Sequence, residues 1–557
     1  MGAFFVLEDH RLAKVPGTVI LEEDVAHSET ITGNLKHGTG KHSHIVLTPQ
    51  PSDDPNDPLN WSFYKKLTIM LITGMGTILF GACFGPLLNA SLVVISVELN
   101  VPISDVTLLS GYQTLVIGCT APFVSALSRK YGKRSLFVLS SVSAVIGNII
   151  GSTSTSYNQL LASRVVQGLS VSTYESLLLV VIGDLYFVHE RGIYFSVTTF
   201  LLAAVSNLAS VVCGPITDNL GWKYLFHIFV ALSVAQTIFQ ILFVPETTYT
   251  RAKKYDIDEL TTSFEAVAAK GTTDDEKAQK NGEHAENVTT VSSANVSPNT
   301  IPPKKTFMQN LRLFNGTFSD ENLFQLIIAP FAICMNVVVF FIVLIQGWFV
   351  GLFVAIAFVI PQIFGFPPYN LSPASIGYLS LGPFAGGLIG MIFLGVITDP
   401  IIMYMTKKNK GVYEPEYRLL PSILGLCTAA GMFGYGHVTQ NFGSPYVASF
   451  LHGVVIFGLM GVVVATSAYA LDAYRDMNNE IFIMGMLVKN FLLYGFTYFI
   501  NDWIAAAGTR HVFYIFGGIG IATMIGLPLM YVFGKMYRSY WSRHNLLEKF
   551  GVRTHAE

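Results

Sequence analysis

Twelve apolar runs of roughly membrane length constrain this chain more than any other feature. Six occupy residues 67–88, 106–127, 136–150, 160–183, 193–213 and 224–244; six more, after a polar gap, occupy 326–364, 376–397, 419–435, 446–471, 481–500 and 513–533. About 20 apolar residues suffice for a helix to cross a hydrocarbon core roughly 30 Å thick. Backbone polar groups have no water partners there, so each run is read as a helix that closes its own hydrogen bonds. The first run of the second set holds about 39 residues, or roughly 58 Å of helix, nearly two crossings. Positive charge decides its count, because basic tails and short basic loops stay on the cytoplasmic side. Only a single span, broken near Pro330, Gly347 or Gly351, puts Lys65 and Lys66 on the same side as Lys535, Arg538 and Arg543. The basic loops 129–134, 251–254 and 407–418 then share that side, while the outer loops contribute chiefly Lys223 and Arg510.

The expected fold class is therefore an all-α polytopic membrane protein of twelve transmembrane helices. The expected organisation is a cytoplasmic tail 1–64, a six-helix bundle 65–245, a cytoplasmic linker 246–322, a second six-helix bundle 323–536 and a cytoplasmic tail 537–557. Residues 1–62 are largely polar and the apolar stretch 4–7 is too short for a signal-peptide core, so the first span itself is expected to target the chain. The linker is too polar to fold alone. Near its end Phe307, Leu311, Phe314 and Phe318 recur at about helical spacing beside Lys304, Lys305 and Arg312. That pattern fits an interfacial helix or an unstructured basic juxtamembrane segment. Asn370-Leu371-Ser372 is a glycosylation sequon on the expected outer face, whereas those at Asn287, Asn295 and Asn315 fall inside and should stay bare.

Charged residues make up 13% of the chain, about half the usual share of soluble domains, which argues against an ordinary soluble enzyme. The balance of 34 Lys and Arg against 36 Asp and Glu leaves no basic patch for nucleic acid. The five cysteines sit singly in apolar runs and read as packing residues. No zinc-protease, phosphate-loop or serine-hydrolase motif occurs, so neither enzymatic activity, a cofactor nor a metal is expected.

The few charges inside the runs are then the candidates. Arg164 and Glu175 are eleven residues apart, which returns to within about 20° on a helix, so they share a face. That face should turn inward, because charge facing lipid is costly. A carboxyl group held away from water can be neutralised by a proton or by an organic cation, which suits Glu175 to coupling; a structural hydrogen-bond role is the alternative. Asp184 lies half a turn away at the cytoplasmic end, with Arg129, Lys133 or Arg134 as expected partners. Lys489 lies roughly 13 Å inside the eleventh run, placed to snorkel, to oppose a substrate cation or to pair with a carboxylate. Asp399 and Asp472 sit at span ends and are expected to cap or gate.

Several stretches resemble a known family: the basic loop Arg129-Lys130-Tyr131-Gly132-Lys133-Arg134 after the second run, Arg164-Val165-Val166-Gln167-Gly168 in the fourth, and Gly214-Pro215 in the fifth. Together with the two sets of six they are similar to the major facilitator superfamily of secondary transporters. The stretches Asp54 to Trp61, Tyr174-Glu175-Ser176, Asp184 to Gly192, Pro245-Glu246-Thr247, Pro367 to Asn370 and Ala470 to Tyr474 resemble its fungal drug:proton antiporter-like branch. Val15 to Thr18 and Leu47 to Pro51 are similar to the histidinol and polyamine permeases within that branch.

The resemblance implies two six-helix bundles working by alternating access, and a proton-coupled transporter of a small organic solute, either an organic cation such as a polyamine or a drug or secondary metabolite. A facilitator or ion symporter without proton coupling, or a non-transporting nutrient sensor, are the alternatives. It further implies a monomer in the plasma membrane, with membrane lipid, substrate and protons as its partners. The family's cavity-lining spans one, four, seven and ten nominate Asn89, Asn336, Gln346, Trp348 and Tyr469, for each of which helix packing is the alternative. Its cytoplasmic gate nominates Arg129, Lys133, Arg134, Asp184, Glu190 and Arg191, and its packing motifs nominate Gly168, Gly214 and Pro215. Two departures stand out: Arg129 occupies a position where the family has Asp, and the antiporter signature breaks off as Gly214-Pro215-Ile216-Thr217-Asp218.

Overall fold

A computed structural model describes residues 51–187, 201–249, 303–319, 321–409, 412–474 and 477–544, together with residues 6–7, 15, 17–20, 194 and 198. Glu190, Arg191, most of the expected linker and the sequons at Asn287 and Asn295 lie outside the described residues.

Among the described residues the first half contains six helical rods. Span one is segmented: Phe63–Gly76 runs into a π-helical stretch Thr77–Ala82, then a 3-10 turn Pro86–Ser91, then Leu92–Leu99. Pro86 supplies no N–H to the preceding turn, which is where the regular ladder is lost. Spans two, three, four and six are the helices Ile103–Tyr131, Arg134–Ser152, Tyr157–Leu185 and Lys223–Phe243. Span five ends in the helix Ser206–Leu220. Gly132 closes span two with φ +89, and a Cβ there would run into the Glu246 carboxylate, so the tight turn into span three requires glycine.

The second half repeats the pattern. Its spans are Val337–Phe364 (seven), Pro373–Tyr378 continued by Leu381–Lys408 (eight), Pro415–Leu424 continued by Gly425–Gln440 (nine), Pro445–Ala473 (ten), Asn478–Ala507 (eleven), and Thr509–Met524 continued by Gly526–Arg543 (twelve). Among the described residues ten helical stretches are long and apolar enough to cross a membrane, and Pro86–Leu99 and Leu323–Met335 are shorter apolar helices. The chain is a multi-pass membrane protein of all-α fold.

Three details refine the expectation. Of the three named break sites the long seventh run uses the first, turning at Ile333–Met335, a 3-10 turn a few residues after Pro330, and it runs straight through Gly347 and Gly351. The break holds because the Asn336 side chain accepts from the Val338 and Val339 amides and starts a new helix. The periodic stretch at the linker's end forms only the four-residue helix Phe307–Asn310, with Gly316 at φ +95 beyond it. Span twelve continues past residue 536, burying Arg538 and Trp541.

Each half has its own apolar core, one around Phe80, Phe84, Phe137 and Tyr174, the other around Phe349, Ile456, Phe496 and Phe513. Side chains such as Leu139, Val396 and Ile423 point outward, more than 60% exposed, where only lipid would cover them. The halves join along span two against span eleven and span five against span eight. Gly118 lets span two approach Asn490, a Cβ there standing 3.2 Å from that of Asn490, and Gly214 lies against Pro373 and Gly377.

Candidate functional site

The broken span one leaves the Phe84 carbonyl to be satisfied at membrane depth. Arg164 Nη1 donates to it at 2.9 Å and to Gln167 Oε1 at 2.9 Å; Gln167 Nε2 donates to Asn148 Oδ1 at 2.7 Å, and Asn148 Nδ2 to Ser233 Oγ at 2.8 Å. This chain of fully buried groups ties spans one, four, three and six. Arg164 has no carboxylate partner among the described residues, so its place is that of a helix fastener, and its contacts turn toward span one. Gln167 stands in the motif Arg164 to Gly168 without a role of its own, and Asn148 and Ser233 are not singled out by sequence; the i, i+3 spacing of Arg164 and Gln167 was the available signal.

Glu175 turns toward the other half. The structure pairs two candidates that the sequence leaves separate: Lys489 Nζ of span eleven donates to Glu175 Oε1. The pair is the one among those described that joins the bundles at mid-membrane, with side chains 15% and 21% exposed for Glu175 and Lys489 respectively. Each residue lies roughly 15 Å along its helix from the basic-loop end. Lys489 therefore does not snorkel.

At the basic-loop end the expected partners are redistributed. Asp184 pairs with Lys133, not with Arg129 or Arg134. Arg134 donates to the Val244, Ile241 and Leu311 carbonyls, while Glu246 accepts from the Lys133 and Arg134 amides, an anion set on the N-terminus of span three. Arg129 is thus free to cross between the halves, reaching Glu480 Oε1 and Glu321 Oε2, each at 3.2 Å. Glu480 is buried, and nothing in the sequence singles it out. In the second half Arg418 draws Asp472 (3.0 Å) and Asp399 (3.5 Å) together. Tyr413 donates to Asp472; burial first, and then the adjacent Asp472 carboxylate, push the Tyr413 hydroxyl upward, so it stays a donor. Arg538 and Lys535 hold Glu414 and Glu416 in a buried cluster. A segment of the N-terminal tail docks here: strand Val19–Ile20 pairs antiparallel with Val412–Tyr413, and Thr18 Oγ1 donates to Glu414 Oε2 at 2.8 Å.

Of the nominated cavity residues, Asn89 borders a space between the halves, a cleft shared with Ser210, Pro361 and Ser380 at the end away from the basic loops. Asn336 is a helix cap. Gln346 donates to Thr466 at 3.0 Å and Ser467 at 3.1 Å, fastening span seven to span ten. The Trp348 ring packs edge-on against Phe496 and Phe516, and Tyr469 against Tyr474 near the buried Glu416. Asn336, Trp348 and Tyr469 are turned into the second half's core, whereas Gln346 is half-buried and reaches the exposed Ser467. Gly168 admits the backbone of span two, a Cβ there meeting Gln113 O at 2.9 Å; Gly214, followed by Pro215 in span five, admits span eight, with Pro373 O at 2.6 Å. Asn370 is exposed on the loop between spans seven and eight.

The sequence profile of the Major Facilitator Superfamily matches residues 69–486. An uncharacterized MFS-type transporter of Schizosaccharomyces pombe is 23% identical over 556 residues, covering 96% of this chain and 94% of the relative. Protein HOL1 of Saccharomyces cerevisiae is 24% identical over 552 residues, covering 92% and 93%. Among solved structures, a D-xylose-proton symporter aligns with TM-score 0.53 and 16% identity, over 83% of this chain and 97% of that one, and has the same fold.

Proposed function

Since the chain belongs to the major facilitator superfamily and so is a transporter of small solutes, we propose that it is a proton-coupled secondary transporter of an organic cation, working by alternating access. The observation that carries the reading is the Glu175–Lys489 pair between the bundles. The bundles touch at both ends, through Arg129 and Glu480 at one and through Gly214 against Pro373 at the other. Rocking must open one end while the other stays closed, and the mid-membrane pair is the contact that substrate and proton can each rearrange. Protonation of Glu175 removes the charge that holds Lys489. An alkylammonium group is the chemical likeness of the Lys489 head and competes for the same carboxylate, which makes an amine such as a polyamine the favoured cargo. Proton and cation then exchange at one site, and their movements are coupled.

The reading places the protein in the plasma membrane as a monomer, with Asn370 glycosylated outside. Its test is flux in proteoliposomes under an imposed pH gradient, over a panel of polyamines, neutral drugs and amino-acid derivatives. Uptake of amines that follows the gradient is expected. Flux that ignores the gradient would make it a facilitator or ion symporter, flux confined to neutral solutes would remove the cation assignment, and no flux of any solute would favour a sensor.

A further inference from the structure

Next to the start of span one, three separate pieces of chain build a polar cleft. One wall is the tail segment 51–61, knotted by Asp57, whose carboxylate accepts from the Ser52 amide (3.1 Å), the Ser52 hydroxyl (2.9 Å) and the Leu59 amide (3.0 Å). A second is the chain after span six, Glu246 to Tyr249. The third is the end of the linker, fixed by Lys305 N donating to Asn56 Oδ1 at 2.9 Å, Asn56 Nδ2 donating to Pro303 O at 3.2 Å and Phe318 N donating to Lys130 O at 2.9 Å. Lys65, Lys304 and Lys305 line the cleft together with the amide side chains of Gln309, Asn310 and Asn315.

None of the three lysines has a carboxylate partner among the described residues. Lys65 Nζ sits 3.4 Å above the Trp61 ring. The one carboxylate lining the cleft, Glu246, is already engaged by the amides of Lys133, Arg134 and Thr248. Three ammonium groups converging without a counter-ion among the described residues, beside donor amides, suit an anion carrying more than one negative charge. Around the rim, Phe63, Tyr64, Met308 and Phe314 are each at least 60% exposed. Lys65 stands in the first turn of a membrane span, so these side chains lie at bilayer-surface level, where aromatic and apolar groups enter the headgroup region.

We propose that this cleft binds the phosphorylated headgroup of an anionic phospholipid of the phosphoinositide type, with the apolar rim seated in the adjoining leaflet. The binding ties the tail, the linker and span one to the same lipid.

The test titrates a fluorescent phosphatidylinositol 4-phosphate into the purified full-length protein in detergent micelles. Saturable binding is expected, with no saturable binding of the matching phosphatidylcholine probe. A lysine at the membrane surface contributes about fivefold to affinity, so Lys65→Gln/Lys304→Gln/Lys305→Gln should weaken binding roughly a hundredfold. The exposed pair Lys304→Gln/Lys305→Gln, which carries no folding burden, should weaken it about twenty-five-fold. The three Lys→Arg changes should preserve it. Wild-type affinity in the two glutamine variants, or saturable phosphatidylcholine binding, would overturn the proposal. Displacement of the probe by soluble inositol phosphate at the lipid's own concentration would also overturn it, by making the ligand a free phosphate ester.

Discussion

Glu175 in span four and Lys489 in span eleven form an ion pair that belongs to neither bundle. Beside it Met486 of span eleven packs into the first half's core, so the pair is a tie between the bundles that a rocking motion must break or carry.

Lys489 should act as a built-in competitor of a cationic substrate. A hydrogen bond between charged groups is worth ~1.5 kcal/mol or more, so Lys489→Gln should tighten the apparent affinity for amines on the order of tenfold while slowing net transport. Concentration dependence of substrate exchange in vesicles checks this. An unchanged or weaker amine affinity would show that Lys489 does not contend for the substrate's place.

At the basic-loop end, Arg129 holds Glu480, which is 2% exposed and has no second cation within reach among the described residues. Arg129→Glu should strand that buried carboxylate and open this end, and Arg129→Glu/Glu480→Arg should close it again. The readout is labelling of a single cysteine at Ser467, an exposed position whose hydroxyl accepts from Gln346, by an impermeant thiol reagent. Equal labelling of wild type, single and double variants would remove the pair from the gate.

The docked tail segment should stabilise the second half. Val6 and Val15 are buried, Leu7 N donates to Val532 O at 3.0 Å, and Gly17 has φ +84 with a Cβ there only 2.9 Å from Asp472 O. Burial of two valines contributes ~3 kcal/mol, and Gly17→Val adds backbone strain of about 1–3 kcal/mol. Both Gly17→Val and removal of residues 1–20 should lower the thermal unfolding midpoint in detergent by a few degrees, and an unchanged midpoint in both would mean the segment is not held there.

Sidedness rests on the charge asymmetry of the loops. In a cysteine-free background, single cysteines at Lys304 and Asn370 should label from opposite sides of sealed cells, Asn370 from outside. Labelling of both from outside would contradict the twelve-span arrangement.

The spans were legible because a crossing helix must be apolar along its length, and parity with positive charge settled the seventh run. The place of its break was legible only as one of three candidates, since Asn336 ends the irregular turn after Pro330 by capping, a choice that composition does not reveal. Helical phase put Arg164 and Glu175 on one inward face but could not tell that Arg164 meets span one and Glu175 meets Lys489, because pairing between residues 314 positions apart depends on how the bundles pack. The same limit explains Arg129. Loop cations and span-end acids were visible as a group, but which took which followed from Arg134 and Glu246 being consumed at the start of span three. Polar span residues such as Gln346, Trp348 and Tyr469 look alike in sequence whether they line a cavity or fasten helices.

The account depends most on Glu175 as the site where proton and substrate exchange, and the direct measurement is flux against pH in proteoliposomes for wild type and Glu175→Gln. The amide keeps a hydrogen-bond acceptor for Lys489 but takes no proton. The account predicts that Glu175→Gln loses pH-gradient-driven flux and its pH dependence while labelled-for-unlabelled exchange persists. A Glu175→Gln protein with wild-type rates and an unchanged pH profile would contradict it, leaving the carboxylate as a structural partner of Lys489 alone.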